Sequence, residues 1–305
     1  MSNPSVFLKA NSGLAYALAA FLMWGLFPLY FHALADVPSA EVLAHRVIGS
    51  AVLLAAWAAY SGGLGKILGE LRNPRRLAFY TVTTILISAN WWIFIWAVQV
   101  GRTLEASLGY YINPLVNVLL GVLFLAERPS RRQWLAIGIA AAGVVWLIAT
   151  QGVIPWVSLA LALTFGSYAL IRKMAGFDAM LGLTVETLLL APIAVVAMIW
   201  WSSTGQLAFG HLGLSTDLLL LAAGLVTVLP LICFLEAGLR LKLATLGIVQ
   251  YVTPSMQFLL AVFVFHEHFD STRSITFVCI WLALAIYTTD ALRQHRIRPS
   301  TAGAE

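Results

Sequence analysis

Three ionisable residues stand close together in one apolar run of the sequence. Glu41, His45 and Arg46 lie in the run 39–60, and a fourth ionisable residue, Glu186, lies in the run 180–201. If such a run is a helix in a bilayer, each charge costs about 2.5–3.5 kcal/mol and needs a partner or a water-filled cavity. Glu41 and His45 are one helical turn apart, whereas Arg46 points about 100° further round.

Two interpretations of these charges are open. In the functional one, a polar cavity contains a titrating His45 or Glu186, and Arg46 holds an anionic or carbonyl group of a ligand. Glu41 and Glu105 would then contribute to proton coupling or gating. In the structural one, a Glu41–Arg46 ion pair or an interhelical pair locks the bundle, and Glu105 suits the dipole at the start of its helix.

Amides and aromatic residues within the apolar runs extend the candidate site. The amides include Asn90, Asn113, Asn117 and Gln257. The aromatic residues away from run ends include Trp24, Trp91, Trp92 and Trp281, together with Tyr110 and Tyr251. Asn113 and Asn117 flank Pro114, which leaves a carbonyl in the preceding turn without its hydrogen bond. These residues predict a cavity lining with rings that could stack on a flat substrate, and interhelical packing is the simpler alternative.

The composition predicts a protein that spans a membrane many times. Hydrophobic residues make up 61% of the 305 residues, charged residues 10%, and the mean hydropathy is +0.89. Soluble domains contain about 25% charged residues. Ten apolar runs are long enough to span a bilayer, at 13–32, 39–60, 77–98, 103–125, 132–149, 153–172, 180–201, 215–238, 243–265 and 272–291. The first run is longer than the apolar core of a signal peptide, so we keep it as a helix.

The lysines and arginines predict the orientation. With ten spans and a cytoplasmic N-terminus, 15 of the 18 basic residues fall on the inner side, two fall outside, and Arg46 lies within a span. Such a bias indicates a bacterial inner-membrane protein with both termini in the cytoplasm. The basic residues are scattered among short loops, so the lipid bilayer explains the net charge of +5 and no nucleic-acid partner is expected.

The sequence contains a weak internal repeat. A shift of 140 positions places Tyr111 on Tyr251, Pro114 on Pro254 and Glu127 on Glu267. We predict a first five-helix repeat at 1–150, a second at 151–293 and a cytoplasmic tail at 294–305. Because five is odd, the second repeat must be inverted, as in many secondary transporters.

Several motifs also resemble a known family. They are Trp24-Gly25, His45-Arg46, Asn90-Trp91, the segment 104–110, the segment 112–117, Arg172-Lys173, Glu186-Thr187 and Gln250-Tyr251. Together they resemble the RarD proteins of the EamA branch of the drug/metabolite transporter superfamily, over residues 13–293. The resemblance implies a ten-helix exporter fold with two inverted repeats.

No enzymatic or nucleotide-binding motif appears. The sequence has no Walker loop, HExxH or GxSxG pattern, and His266-Glu267-His268 lacks metal-ligand spacing, so no cofactor or metal is expected. The sequence therefore predicts a secondary transporter of small organic molecules, an exporter working by alternating access with protons as a candidate coupling ion. An uncoupled channel, a membrane-embedded enzyme and a structural subunit are the rival hypotheses. Small residues at 136–143 would permit close packing within the chain or in a homodimer.

Overall fold

The computed structural model describes residues 4–176, 179–241 and 243–297, and within them the regular secondary structure is entirely helical. Ten helical stretches are long and apolar enough to cross a bilayer, which confirms the predicted all-α fold with ten spans. The helices are α1 Pro4–His32, α2 Ser39–Tyr60, α3 Leu64–Arg72, α4 Pro74–Gln99, α5 Thr103–Leu125, α6 Arg131–Gln151, α7 Trp156–Ala175, α8 Ala179–Ser203, α9 Leu214–Gly238, α10 Leu243–Val249, α11 Val252–Leu259 and α12 Ser271–Ile297. Lys242, Arg298 and the tail beyond residue 297 lie outside the described residues.

Polar residues between the spans end and begin the helices. The Asn73 side chain accepts hydrogen bonds from the backbone N–H of Arg75 and Arg76, so it caps α4. Ser130 and Gln133 form a reciprocal capping box at the start of α6. Gly152 ends that helix in the left-handed conformation, with a φ of 67°. Short-range chemistry thus fixes where these spans begin and end.

Two elements differ from the hydropathy pattern. The short helix α3 was not predicted, because it contains charged residues and is too short to form an apolar run. It is amphipathic, and Ile67 and Glu70 face inward. The predicted helix 243–265 is interrupted after Val249 and ends in a π-helical segment, Leu260–Val264. Pro254 accounts for the first break, because a proline ring clashes with the carbonyl four residues earlier, that of Gln250.

The helices pack reciprocally between the first and second halves of the chain. Helix α1 packs on α9 and α11, and the corresponding α7 packs on α4 and α5. A Cβ on Gly25 would lie 2.7 Å from Met256 Cβ, and one on Gly166 would lie 3.1 Å from a methyl group of Val116. These two pairs correspond under shifts of 141 and 140 positions. Two repeats would pack in this way, and their inversion remains a prediction.

The small residues of α6 are partly used inside the chain. Ala136, Ala140 and Gly143 are buried, and α12 packs along this helix. A Cβ on Gly143 would lie 2.8 Å from Cys279 Cβ. Of the small residues in this stretch, Gly138, Ala141 and Ala142 point outward. The packing of α6 therefore explains half of these residues without a second copy of the chain.

The contact between Gly49 of α2 and Gly224 of α9 generates a stability prediction. A Cβ on Gly49 would lie 2.9 Å from Gly224 Cα, so the two backbones leave no room for a methyl group. We expect Gly224→Ala to destabilise the protein by about 1–3 kcal/mol, as overpacking does. Gly138→Ala is the matched control, because nothing lies within 4 Å of its Cβ position. Thermal unfolding in detergent measures both, and equal melting temperatures would contradict this close approach.

Candidate functional site

Arg46 lies at a junction of four helices and is almost completely buried. Its side chain, 5% exposed, extends from α2. Its Nε donates a 2.8 Å hydrogen bond to Thr227 Oγ1 of α9. The guanidinium carbon lies 4.2 Å from the centre of the Trp91 ring of α4, and 5.5 Å and 5.8 Å from the rings of Phe27 and Phe31 of α1. The cation is therefore enclosed by rings and one hydroxyl.

The aromatic wall continues toward α5 and α7. Phe31 packs edge-on against Phe94, which packs edge-on against Tyr110. The Tyr110 hydroxyl donates to Asn90 Oδ1 at 3.4 Å, and the Asn90 amide donates to Leu161 O at 3.0 Å. Asn90 is 1% exposed and its donors are used, so it joins α4 to α7 and has little capacity left for a ligand.

Glu41 does not form the expected pair with Arg46. Its carboxylate accepts hydrogen bonds from the backbone N–H of Ala208, at 2.9 Å, and of Phe209, at 2.8 Å. These amides belong to the loop between α8 and α9, so Glu41 holds that loop against the start of α2. His45 lies beside it, with Nδ1 3.1 Å from Glu41 O and its ring 5.1 Å from that of Phe209.

Glu186 lies in a separate polar cluster near the start of α8. Its carboxylate accepts hydrogen bonds from Arg172, at 3.2 Å, and from the Tyr168 hydroxyl, at 3.1 Å. A Cβ on Gly182 would collide with the Arg172 guanidinium, so this glycine leaves the space that the arginine fills. Arg172 ends the predicted span 153–172 on the inner side, and the structure shows that it reaches back to a buried acid.

The remaining predicted site residues lie elsewhere. Glu105 forms a bidentate ion pair with Arg102 at 2.8 and 2.9 Å. Trp24 packs between Phe21 and Phe234. Tyr251 packs against the hydrophobic cluster that joins α5, α6, α11 and α12. An open cleft near the Arg102–Glu105 pair is lined in part by Gln151 and Arg273, and it lies away from Arg46.

Corresponding amides of the two halves have different surroundings. Gln257 is 2% exposed and donates to Trp24 O at 3.3 Å, so it ties α11 to α1. Asn117, its counterpart under the shift of 140, is exposed beside Gly166 of α7. Asn113 is buried in the middle of α5, with no hydrogen-bond partner for Oδ1. The amide of Gln257 in α11 is therefore packed, whereas the corresponding amide of Asn117 in α5 is exposed.

Glu267 makes a contact that the sequence did not predict. Its carboxylate accepts hydrogen bonds from the backbone N–H of Thr103, at 2.6 Å, and of Leu104, at 2.9 Å. These are the first residues of α5, where the helix dipole favours a negative charge. We call this contact the Glu267 latch. Burial raises the pKa of the Glu267 carboxyl, whereas the Leu104 N–H acts in the opposite direction.

Comparison with known proteins shows what kind of protein this is. The model of the EamA-like transporter family matches residues 11–149. Protein RarD of Escherichia coli (strain K12) is 40% identical over 94% of this chain and 97% of its own length. The chain belongs to the RarD group of EamA-like transporters. It is therefore a multi-pass bacterial membrane protein of a transporter family.

Other relatives agree with this assignment. An uncharacterized transporter of Vibrio cholerae is 46% identical over 93% of this chain and 94% of its own length. The chloramphenicol-sensitive protein RarD of Pseudomonas aeruginosa is 33% identical over 93% of this chain and 96% of its own length. A crystal structure that is 20% identical, with a TM-score of 0.58, covers 92% of this chain and 99% of that protein, which supports the fold alone.

The two buried charges should respond differently to neutralisation. Glu186→Gln leaves Arg172 without its carboxylate, so we expect a loss of about 3 kcal/mol, as for other broken buried pairs. Arg46→Gln removes a cation that has no carboxylate partner among the described residues, so its unfolding temperature should not fall comparably. Thermal unfolding in detergent compares the two variants. An equally large loss in Arg46→Gln would show that Arg46 is a structural charge of the same kind.

Proposed function

We propose that this protein is a secondary-active transporter that exports small organic molecules across the bacterial inner membrane by alternating access. The basic loops favour a cytoplasmic location for both termini. We call the end of the bundle with Arg75, Arg128 and Arg131 the basic end, and the end with Glu267 the opposite end. Transport between them requires a substrate site that opens to one end at a time.

The single observation that carries this proposal is the unequal burial of corresponding residues at the two ends. Gln257, toward the opposite end, is 2% exposed, whereas its counterpart Asn117, toward the basic end, is exposed. Ser107 is fully buried, whereas its counterpart Gly247 is half-buried. This pattern supports a conformation closed at the opposite end and open at the basic end.

The glutamates at the two ends supply a physical basis for switching. Ala126 and His266 have φ angles of 53° and 52° and correspond under the shift of 140. In each case the next residue is a glutamate whose N–H donates to the carbonyl six residues earlier, Gly121 for Glu127 and Ala261 for Glu267. Both carboxylates are therefore held at equivalent helix ends.

The partners of these glutamates differ. Glu267 caps α5, whereas Glu127 binds Lys173 at 2.8 Å with both side chains about half-exposed. The counterparts of Thr103 and Leu104 are Leu243 and Ala244, at the start of α10. In the conformation open at the opposite end, we expect the Glu267 latch to break and Glu127 to accept hydrogen bonds from the N–H groups of those two residues.

Thiol labelling tests the proposal with a matched pair of reporters. In a background with Cys233→Ala and Cys279→Ala, Asn117→Cys should react readily with a polar thiol reagent and Gln257→Cys should react slowly. Glu267→Ala should increase the labelling rate of Gln257→Cys about twofold to tenfold, the range expected for losing a helix cap. Glu105→Ala is the control, because this carboxylate is paired with Arg102.

The same reporters separate the rival hypotheses. Alternating access predicts that Asn117→Cys labelling falls as Gln257→Cys labelling rises. An uncoupled channel would leave both positions reactive together, and a purely structural subunit would show no effect of Glu267→Ala. Either result would overturn the proposal.

The latch also predicts a pH dependence. Because burial raises the pKa of Glu267, the latched conformation binds this proton more tightly than one in which the carboxyl faces water. Acid therefore favours the latched state, and this preference is lost as the pH rises through the raised pKa. Labelling of Gln257→Cys should increase with pH over that range, and Glu267→Gln should flatten the profile.

Other groups near the latch must be separated from it. Arg273 faces Glu267 from α12, Glu105 lies in the first turn of α5, and the His32 ring of α1 lies 4.6 Å from that of Phe265. Asp270 has a pKa held below its usual range by the Arg273 N–H, so it titrates at lower pH. Glu105→Gln and His32→Gln are the controls. A profile that persists in Glu267→Gln would assign the pH dependence to another group.

A further inference from the structure

Arg46 is a buried arginine within a span, and none of the carboxylates that the structure describes reaches it. In the part of the chain that the structure describes, the Nε–Thr227 bond is the one hydrogen bond of its guanidinium group. Glu41 is bound to loop amides and Glu186 to Arg172. The site around Arg46 therefore carries a net positive charge beside a side chain that is 5% exposed.

The aromatic contacts do not satisfy the hydrogen-bond donors of the Arg46 guanidinium. A ring attracts a cation over its face, and Trp91 at 4.2 Å does so here. The N–H bonds of a guanidinium point outward in its own plane, where they need acceptors. Of the nearby hydroxyls, Thr227 accepts from Nε and donates to Ala223 O at 2.8 Å, and Tyr30 donates to Leu219 O at 2.6 Å. Among the described residues, no group accepts a hydrogen bond from the terminal amino groups of Arg46.

We propose that this site binds a small organic anion, with a carboxylate on the terminal amino groups of Arg46 and a planar apolar body against Phe27, Phe31 and Trp91. A planar guanidinium fork matches a carboxylate in a bidentate arrangement. The rings supply apolar surface for the rest of the molecule. This inference rests on the proposed transport function, for which it specifies the substrate class.

Binding of three chemically matched probes to the purified protein in detergent tests the inference. Phenylacetate carries the charge and the ring, phenylacetamide replaces the charge with an amide, and acetate lacks the ring. At constant ionic strength and neutral pH, we expect phenylacetate to bind at least about tenfold more tightly than phenylacetamide, as a charge-assisted hydrogen bond predicts. Acetate should bind more weakly than phenylacetate.

Substitutions then assign the preference to Arg46. In Arg46→Gln, the affinities of phenylacetate and phenylacetamide should fall within about twofold of each other. Arg46→Lys should reduce the preference without abolishing it, because an ammonium keeps the charge and loses the fork. Arg102→Gln is the control, since Arg102 is already paired with Glu105, and it should keep the full preference.

Specific outcomes overturn the inference. Equal binding of phenylacetate and phenylacetamide by the wild type would exclude an anion site, and a preference that survives in Arg46→Gln would place the site elsewhere. If Arg46→Gln does not fold, an unchanged preference in Arg46→Lys has the same meaning. If the labelling experiment shows alternating access but phenylacetate is not preferred over phenylacetamide, only the proposed substrate class is wrong. If phenylacetate is preferred but both reporters are reactive together, the transporter proposal is wrong and the anion site is retained.

Discussion

A hydrocarbon solvent offers no hydrogen bonds to a buried polar group, and this constraint determines where the charges of the bundle are found. Glu41 lies in a span, and its carboxylate is satisfied by the amides of a loop 167 residues away in sequence. Glu186 is satisfied by Arg172 and Tyr168. These contacts hold helices together. Against this background, a buried arginine with one hydroxyl and three rings is the exception that indicates a ligand.

The glutamates at the helix ends have a different physical role. A carboxylate on the first N–H groups of a helix gains from the dipole and from charge-assisted hydrogen bonds, yet its burial works against it. The Glu267 latch is therefore a balanced contact that a small bias can open. Helices move largely as rigid bodies, so separating α11 from the start of α5 at one end tends to bring the two halves together at the other. Two glutamates at corresponding helix ends suit an equilibrium between two conformations, each of which is closed at a different end of the bundle.

Much of the fold could be predicted from the sequence, because span length and hydropathy follow directly from the bilayer. The packing partners could not. Hydropathy identifies Arg46 and Glu186 as costly residues, but it does not tell which helix lies beside them. Arg172 ends a predicted span, and its reach to Glu186 depends on the space left by Gly182. Thr227, Phe27 and Phe31 carried no signal of their own, since a threonine and two phenylalanines are ordinary residues within a span. The repeat did match Glu127 with Glu267, but the alignment could not show that only one of them caps a helix.

The position of Arg46 between the halves links binding to movement. The aromatic rings that contact Arg46 come from α1 and α4 in the first half, whereas Thr227 comes from α9 in the second. A ligand shifts a conformational equilibrium only by the difference in its affinity for the two states. The proposed ligand would contact Arg46, Phe27, Phe31 and Trp91, which all belong to the first half. Thr227 of the second half holds the guanidinium through Nε, so a movement of the second half that displaces Thr227 would reorient Arg46 and change the affinity for the ligand. A cation placed where the halves meet is therefore suited to couple the occupancy of the site to the opening of its ends.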